Sequence, residues 1–171
     1  TLAPSSNVNN GSRHSTIDIG GLPFTLTGGA RALSGLEATA GLRASYRLGG
    51  GSGGEAGAGV THLRFAATAR KVRLSDSARA LAPAARGSDF AFAAVEAGIG
   101  HRFRPAGGAV SYALSATLGH NWYGGRNLSD YLRLEGSAER SLGPRRAVQF
   151  GIATERQWRR DAAIRSADSV T

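Results

Sequence analysis

Glu37, Glu96, Glu135 and Glu139 are the residues whose type suits acid–base chemistry, since neighbouring carboxylates can hold and pass a proton. They keep the same alternating parity as Arg43, Arg47, Arg64, Arg70, Arg102 and Arg133, so on strands each carboxylate faces guanidiniums. That company suits an interior network of paired charges in a water-containing lumen better than a pair of catalytic acids. The histidines His14, His62, His101 and His120 are scattered, with no spacing of metal-ligand type. The glycine run Gly49–Gly54 lacks the Gly-Lys-Ser/Thr ending of a phosphate-binding loop and reads as a turn. Cysteine is absent, which removes thiolate nucleophiles, Cys-based zinc sites and disulfides. No catalytic, metal or cofactor residue is assigned, and an enzyme is not expected.

The elements that carry these charges are legible from alternation. From Leu36 to Leu48 every second residue is apolar, and the intervening Glu37, Thr39, Gly41, Arg43, Ser45 and Arg47 include no large apolar side chain. Strict period two is a strand signal, because successive side chains on a strand point to opposite faces. The pattern returns over Gly59–Lys71, Ala91–Phe103, Val110–Trp122, Leu128–Leu142 and Val148–Trp158. A seventh strand is expected within Thr1–Val8, where the hairpin order needs a partner for the first long segment.

Connections separate into two kinds. Gly49–Gly57, Arg104–Gly108 and Gly143–Arg146 are Gly/Pro-rich turns, whereas Asn9–Leu33, Val72–Ser88, Gly124–Asn127 and the segment after Arg159 lie at the opposite strand ends. Residues 9–33 and 72–88 are expected to be long extracellular loops on a single domain spanning 1–171. Such alternation of turns and loops is the habit of outer-membrane barrels. A strand of ~13 residues rising ~3.3 Å each and tilted ~45° crosses roughly 30 Å, a bilayer core, whereas soluble sandwich strands run ~5–6 residues. The expected fold is therefore all-β: an antiparallel, up-and-down transmembrane β-barrel, present in part, with about seven strands of a larger barrel.

Aromatic placement agrees with that order. Tyr46, Phe103 and Tyr112 fall near the turn ends on the apolar parity and Trp122 and Trp158 near the loop ends, as two interfacial girdles require. On the other parity, Glu37, Arg43, Arg47, Arg64, Arg70, Glu96, Arg102, Arg133 and Glu135 are expected to face the lumen.

Composition sets the bounds. An apolar content of 41% with 19% charged residues belongs to an ordered chain, and no apolar run reaches the ~18–20 residues of a spanning helix. The net charge of +9 suits an anionic partner. Arginines alternating with apolar residues along strands make no dense stripe for tracking phosphates, so nucleic acid is not expected. Arg145-Arg146 and the Arg156–Arg165 segment suit anionic headgroups, which makes outer-membrane lipid and lipopolysaccharide the expected surroundings. The opening Thr1-Leu2-Ala3-Pro4 has no leader character, so any signal peptide is expected upstream or removed.

The stretch Ala3-Pro4-Ser5-Ser6-Asn7-Val8-Asn9-Asn10, followed by Gly21-Leu22-Pro23-Phe24-Thr25-Leu26 and Ala30-Arg31-Ala32-Leu33-Ser34-Gly35, resembles the start of the barrel domain in the surface lipoprotein assembly modifier (Slam) family. His120-Asn121-Trp122-Tyr123-Gly124-Gly125 is similar to that family's aromatic-Gly-Gly strand end. The resemblance implies a translocator in the Gram-negative outer membrane, with a tetratricopeptide-repeat domain before the barrel. Its protein cargo would be a surface lipoprotein or a related secreted protein. No helical repeat precedes Thr1 and no terminal aromatic follows Val170-Thr171, so a fragment holding roughly the first half of a barrel is expected. The alternatives are a general porin or passive barrel, and a soluble β-rich binding domain. The centre of Asn9–Leu33, Ile17-Asp18-Ile19-Gly20-Gly21-Leu22-Pro23-Phe24, is more apolar than a loop needs. Read as a loop without strands, it makes Leu22 and Phe24 candidates for gating passage of cargo.

Overall fold

The computed structural model describes residues 1–48, 59–144, 146–162 and 166–171. Its strands are β1 (Leu2–Ser5), β2 (Thr16–Ile19), β3 (Leu22–Thr25), β4 (Gly35–Leu48), β5 (Val60–Leu74), β6 (Phe92–Phe103), β7 (Val110–Tyr123), β8 (Arg126–Gly143), β9 (Arg146–Arg159) and β10 (Ala167–Val170), with a short α-helix, α1 (Asp76–Leu81), and 3-10 turns at Gly28–Ala30 and Gly87–Phe90. The chain is all-β. Eight strands form one antiparallel sheet in the order β1-β4-β5-β6-β7-β8-β9-β10, open at β1 and β10, while β2 and β3 pair by themselves.

The six long alternating segments are all strands, with ends within a few residues of those expected. The seventh is four residues long and pairs Leu2 with Ala38 and Ser5 with Gly35. Four connections differ from expectation. The segment Asn9–Leu33 is not free of strands: it contains the β2–β3 hairpin, because Gly20 and Gly21 adopt positive φ and Asp18 Oδ1 accepts the Gly21 N–H at 2.8 Å, closing a tight turn. Val72–Ser88 begins as strand and continues into α1, which Ser75 caps by accepting the Ala78 N–H. The segment after Arg159 supplies an eighth sheet strand, β10, with Val170 opposite Thr154. Gly124–Asn127 reduces to a two-residue turn at Gly124-Gly125, both at positive φ, between β7 and β8. The turn expected over Gly49–Gly57, Arg145 of the Arg145-Arg146 pair and Arg165 lie outside the described residues.

Two compact units are present. The first comprises Thr1–Gly41, Thr68–Ala93 and Trp122–Arg126 and holds the apolar core: Val8, Leu33, Leu74, Ala78 and Ala82 are buried, with Val72, Leu81 and Phe90 packed against them. Asn9 fastens this unit. Its amide donates to the carbonyls of Gly29 and Arg31, each at 2.8 Å, and its oxygen accepts the Leu33 N–H at 2.8 Å. Val8 and Leu33, at 1% and 0% exposure, flank that clamp, and burying each is worth about 1.5–3 kcal/mol.

The second unit comprises Leu42–Ala67, Ala94–Asn121 and Asn127–Thr171. Among its described residues no large apolar side chain is buried. Leu42, Leu114, Leu118, Phe150 and Ile152 are all exposed, Phe150 to 73%. The faces are fixed by register: Leu134 lies opposite Thr154, Gly136 opposite Ile152 and Ala138 opposite Phe150. A Cβ on Gly136 would meet Leu114 as well as Ile152, which places β7 on the same apolar face. The polar parity turns the other way, and on β9 it is the better covered: Ala153, Glu155, Gln157 and Arg159 are half-buried, while Ile152, Thr154, Arg156 and Trp158 are exposed. On the other strands Arg43, Arg64, Glu96, Arg102, Arg133 and Glu135 are exposed.

Candidate functional site

The polar face of the second unit gathers the charges. Arg133 lies directly opposite Glu155 and donates to it through Nε at 2.8 Å and Nη2 at 2.6 Å, a charge-assisted pair that holds β8 to β9. The Tyr131 hydroxyl donates to Glu96 at 2.6 Å, and the Ser115 hydroxyl donates to Glu135 at 3.0 Å. The Arg133 guanidinium also stands 5.9 Å from the centre of the Tyr131 ring. Farther along this face, Ser129 is fully buried and accepts from Asn121 at 3.1 Å and Gln157 at 3.0 Å, so its hydroxyl is satisfied.

Five of the residues expected on this face, Arg43, Arg64, Glu96, Arg133 and Glu135, line one hollow of about 490 Å³. Arg64 and Glu135 also reach a larger hollow, of about 830 Å³, together with Arg102 and His62. Arg47 lies exposed on β4 and lines neither. Glu37 and Arg70 belong to the first unit, where they form an ion pair at 3.6 Å, and Arg70 also donates to the Phe90 carbonyl. The arrangement can hold water and polar groups against a belt of mixed charge.

Two partners in this belt, Glu155 and Tyr131, are absent from the sequence-based set. Parity alone would have found Glu155, since it alternates with Thr154 and Arg156 on a strand already recognised. The aromatic residues are placed as follows. Phe103 and Tyr112 stack at 5.4 Å between ring centres, with His101 at 5.6 Å from Phe103, so the turn ends of β6 and β7 carry an aromatic cluster on the apolar face. Tyr46 is exposed on β4, and Trp158 lies under Arg156 at 5.6 Å. Trp122 is half-buried at the end of β7.

The first unit adds a second candidate surface. In the β2–β3 hairpin Ile17 lies opposite Phe24 and Ile19 opposite Leu22, which puts four large apolar side chains on one side. All four are exposed, Leu22 to 63% and Phe24 to 48%. A two-stranded hairpin is marginal on its own in water, and a face of this kind gains stability only when covered. Asp18 and Pro23 pair on the other side.

Compared with models of protein families, with curated proteins and with solved structures, the chain matches none.

Proposed function

We propose that this chain is part of an outer-membrane β-barrel of a Gram-negative cell, belonging to a translocator that helps lipoproteins or related secreted proteins reach the surface. The observation that carries the membrane reading is the inverted exposure of the second unit. Long strands there leave Leu42, Leu114, Leu118 and Ile152 exposed on one face, and on β7 and β9 the other parity, with Ser115, Thr117, Glu155 and Gln157, is the better covered. In water that arrangement forfeits the hydrophobic gain that makes a sheet fold. In lipid it is the stable one, with an apolar band outside and charges lining a polar interior. A soluble binding domain is less well supported for the same reason. The sheet is open, so a barrel takes further strands from the same polypeptide or another copy.

The translocator reading rests on the resemblance to the surface lipoprotein assembly modifier family, and the residues that carry it have structural work in this fold. Asn7 donates to the Gly11 carbonyl at 2.9 Å, Asn9 forms the clamp, Val8 and Leu33 form the core, and Leu22 and Phe24 form the exposed hairpin. The hairpin then serves as the contact for protein cargo, and the charged belt lines its route. A passive porin is the second reading, favoured by the water-accessible hollows on the polar face. Cells that carry the full-length protein and a surface lipoprotein are compared with cells that lack it, and the protein is also placed in a liposome-swelling assay. Cargo display that depends on the protein, without sugar permeation, supports the translocator; sugar permeation with unchanged display supports the porin.

A further inference from the structure

On the exposed apolar face of the second unit, one end is not apolar. His120 Nδ1 and Arg160 both bind the carboxylate of Asp130, with Arg160 Nε donating at 2.5 Å. Asp130 sits directly opposite Trp158, and Arg156 crosses that indole face at 5.6 Å while its Nε lies 3.6 Å from Asp168. The side chains of Arg156 and Arg160 are 64% and 61% exposed. A hollow of about 510 Å³ is lined at this cluster by Trp158 and Arg160 and beyond it by Phe65, Val95, Ala97 and Leu118, with Glu96 and Tyr131 also in its wall. Charged groups on a lipid-facing strand are tolerated near the interface and costly at mid-bilayer, and tryptophan favours the same depth. The feature is thus amphiphilic: along β9 the Trp158 indole lies between Arg160, just past the strand end, and Arg156, two residues before it, beside a hollow with an apolar wall.

We propose that this hollow seats a membrane lipid with a phosphate-bearing headgroup. Arg156 and Arg160 bind the phosphate oxygens, Trp158 covers the glycerol level, and an acyl chain lies along Phe65, Ala97 and Leu118. Arg160 spends its Nε and one Nη on Asp130, which leaves further N–H donors of the planar guanidinium for an anionic oxygen. Asp130 and Asp168 hold the two arginines in place without supplying a site of their own. The seat rests on the membrane reading above, because only there does the apolar face meet lipid.

The test uses the full-length protein folded into phosphatidylcholine vesicles with and without phosphatidylglycerol, then extracted in mild detergent for native mass spectrometry of the retained lipid. Phosphatidylglycerol should stay with the unaltered protein, and R156Q/R160Q should retain it about tenfold less. R156Q alone leaves the Asp130 cluster intact and guards against a folding defect in the double variant. Ala97→Trp fills the hollow with every charge kept, and it should also lose the lipid. Equal retention of both lipids by the unaltered protein, or unchanged phosphatidylglycerol in R156Q and Ala97→Trp, overturns the seat alone. Failure of the unaltered protein to enter either vesicle overturns the membrane reading and the seat with it.

Discussion

The ring of Tyr131 occupies the space that a side chain at position 119 would need: a Cβ on Gly119 would lie 2.2 Å from its Cε1 and Cζ. The close approach lets the Tyr131 hydroxyl reach Glu96 across β7, so one residue ties three strands together. Gly119→Ala must push the ring aside and is expected to cost about 1–3 kcal/mol. Tyr131→Phe keeps the ring in place and loses only the hydrogen bond, about 0.5–1.5 kcal/mol. Urea titration of folding in lipid vesicles measures both, and the larger loss should belong to the glycine.

Leu42, Leu114 and Leu118 share the exposed apolar parity, and Arg43, Ser115 and Thr117 the polar one. Replacing a member of the first set with a charged residue near mid-bilayer should cost about 2–4 kcal/mol, and replacing one of the second far less. Equal sensitivity of the two sets in a vesicle-folding titration would refute the assignment of faces.

The Leu22→Ser/Phe24→Ser double variant removes half of the hairpin's apolar side and leaves the core of Val8, Leu33 and Leu74 untouched. Surface labelling of cargo should fall, while a heat-modifiability gel of the full-length protein stays normal. Unchanged labelling with a normally folded barrel would remove the hairpin from the transport route.

Asp161, just beyond β9, accepts from Arg159 at 2.8 and 2.6 Å, and those hydrogen bonds draw its pKa down from 3.8 to about 2. A carboxylate whose folded pKa is lowered contributes its tie at pH above 3.8 and loses it as the pH falls through about 2. The protection of amides at the end of β9, taken relative to intrinsic exchange at each pH, should therefore fall across that window. In Asp161→Asn the step should be absent and the end should already exchange faster at neutral pH.

Along β4 the partner strand β1 covers only Gly35–Ala38, with Thr39 held by Thr1; along β9 the partner β10 covers only Thr154–Gln157, with Ala153 held by Thr171. The rest of both outer edges has no strand beside it among the described residues. Unpaired backbone groups in hydrocarbon cost several kcal/mol each, so residues 1–171 expressed alone should give no heat-modifiable, protease-resistant monomer in vesicles. Appearance of such a monomer would contradict the open sheet.

The long strands were legible because alternation over a dozen residues, as in Leu36–Leu48, has no rival periodicity. β10 was not, since four residues such as Ala167-Asp168-Ser169-Val170 are too few to set a period. Ile17, Ile19, Leu22 and Phe24 do alternate about Gly20-Gly21, but Pro23 removes a backbone donor and makes the segment look like a loop; its place on a two-stranded hairpin resolves the conflict. In the charged belt the face was legible and the partners were not. Arg133 pairs with Glu155 because of the register of β8 against β9, and that register shifts at Ser141/Gly143, a bulge that composition does not announce.

The match of β8 to β9 has a bearing on accuracy of assembly. From Ser129 opposite Arg159 to Ser141 opposite Ala147 the two strands hold a single setting, and within it Arg133 grips Glu155. A slip of one residue would turn every side chain of the moving strand to the wrong side. The ion pair thus acts as a latch: it closes at one setting and leaves the remaining backbone groups to zip up from there.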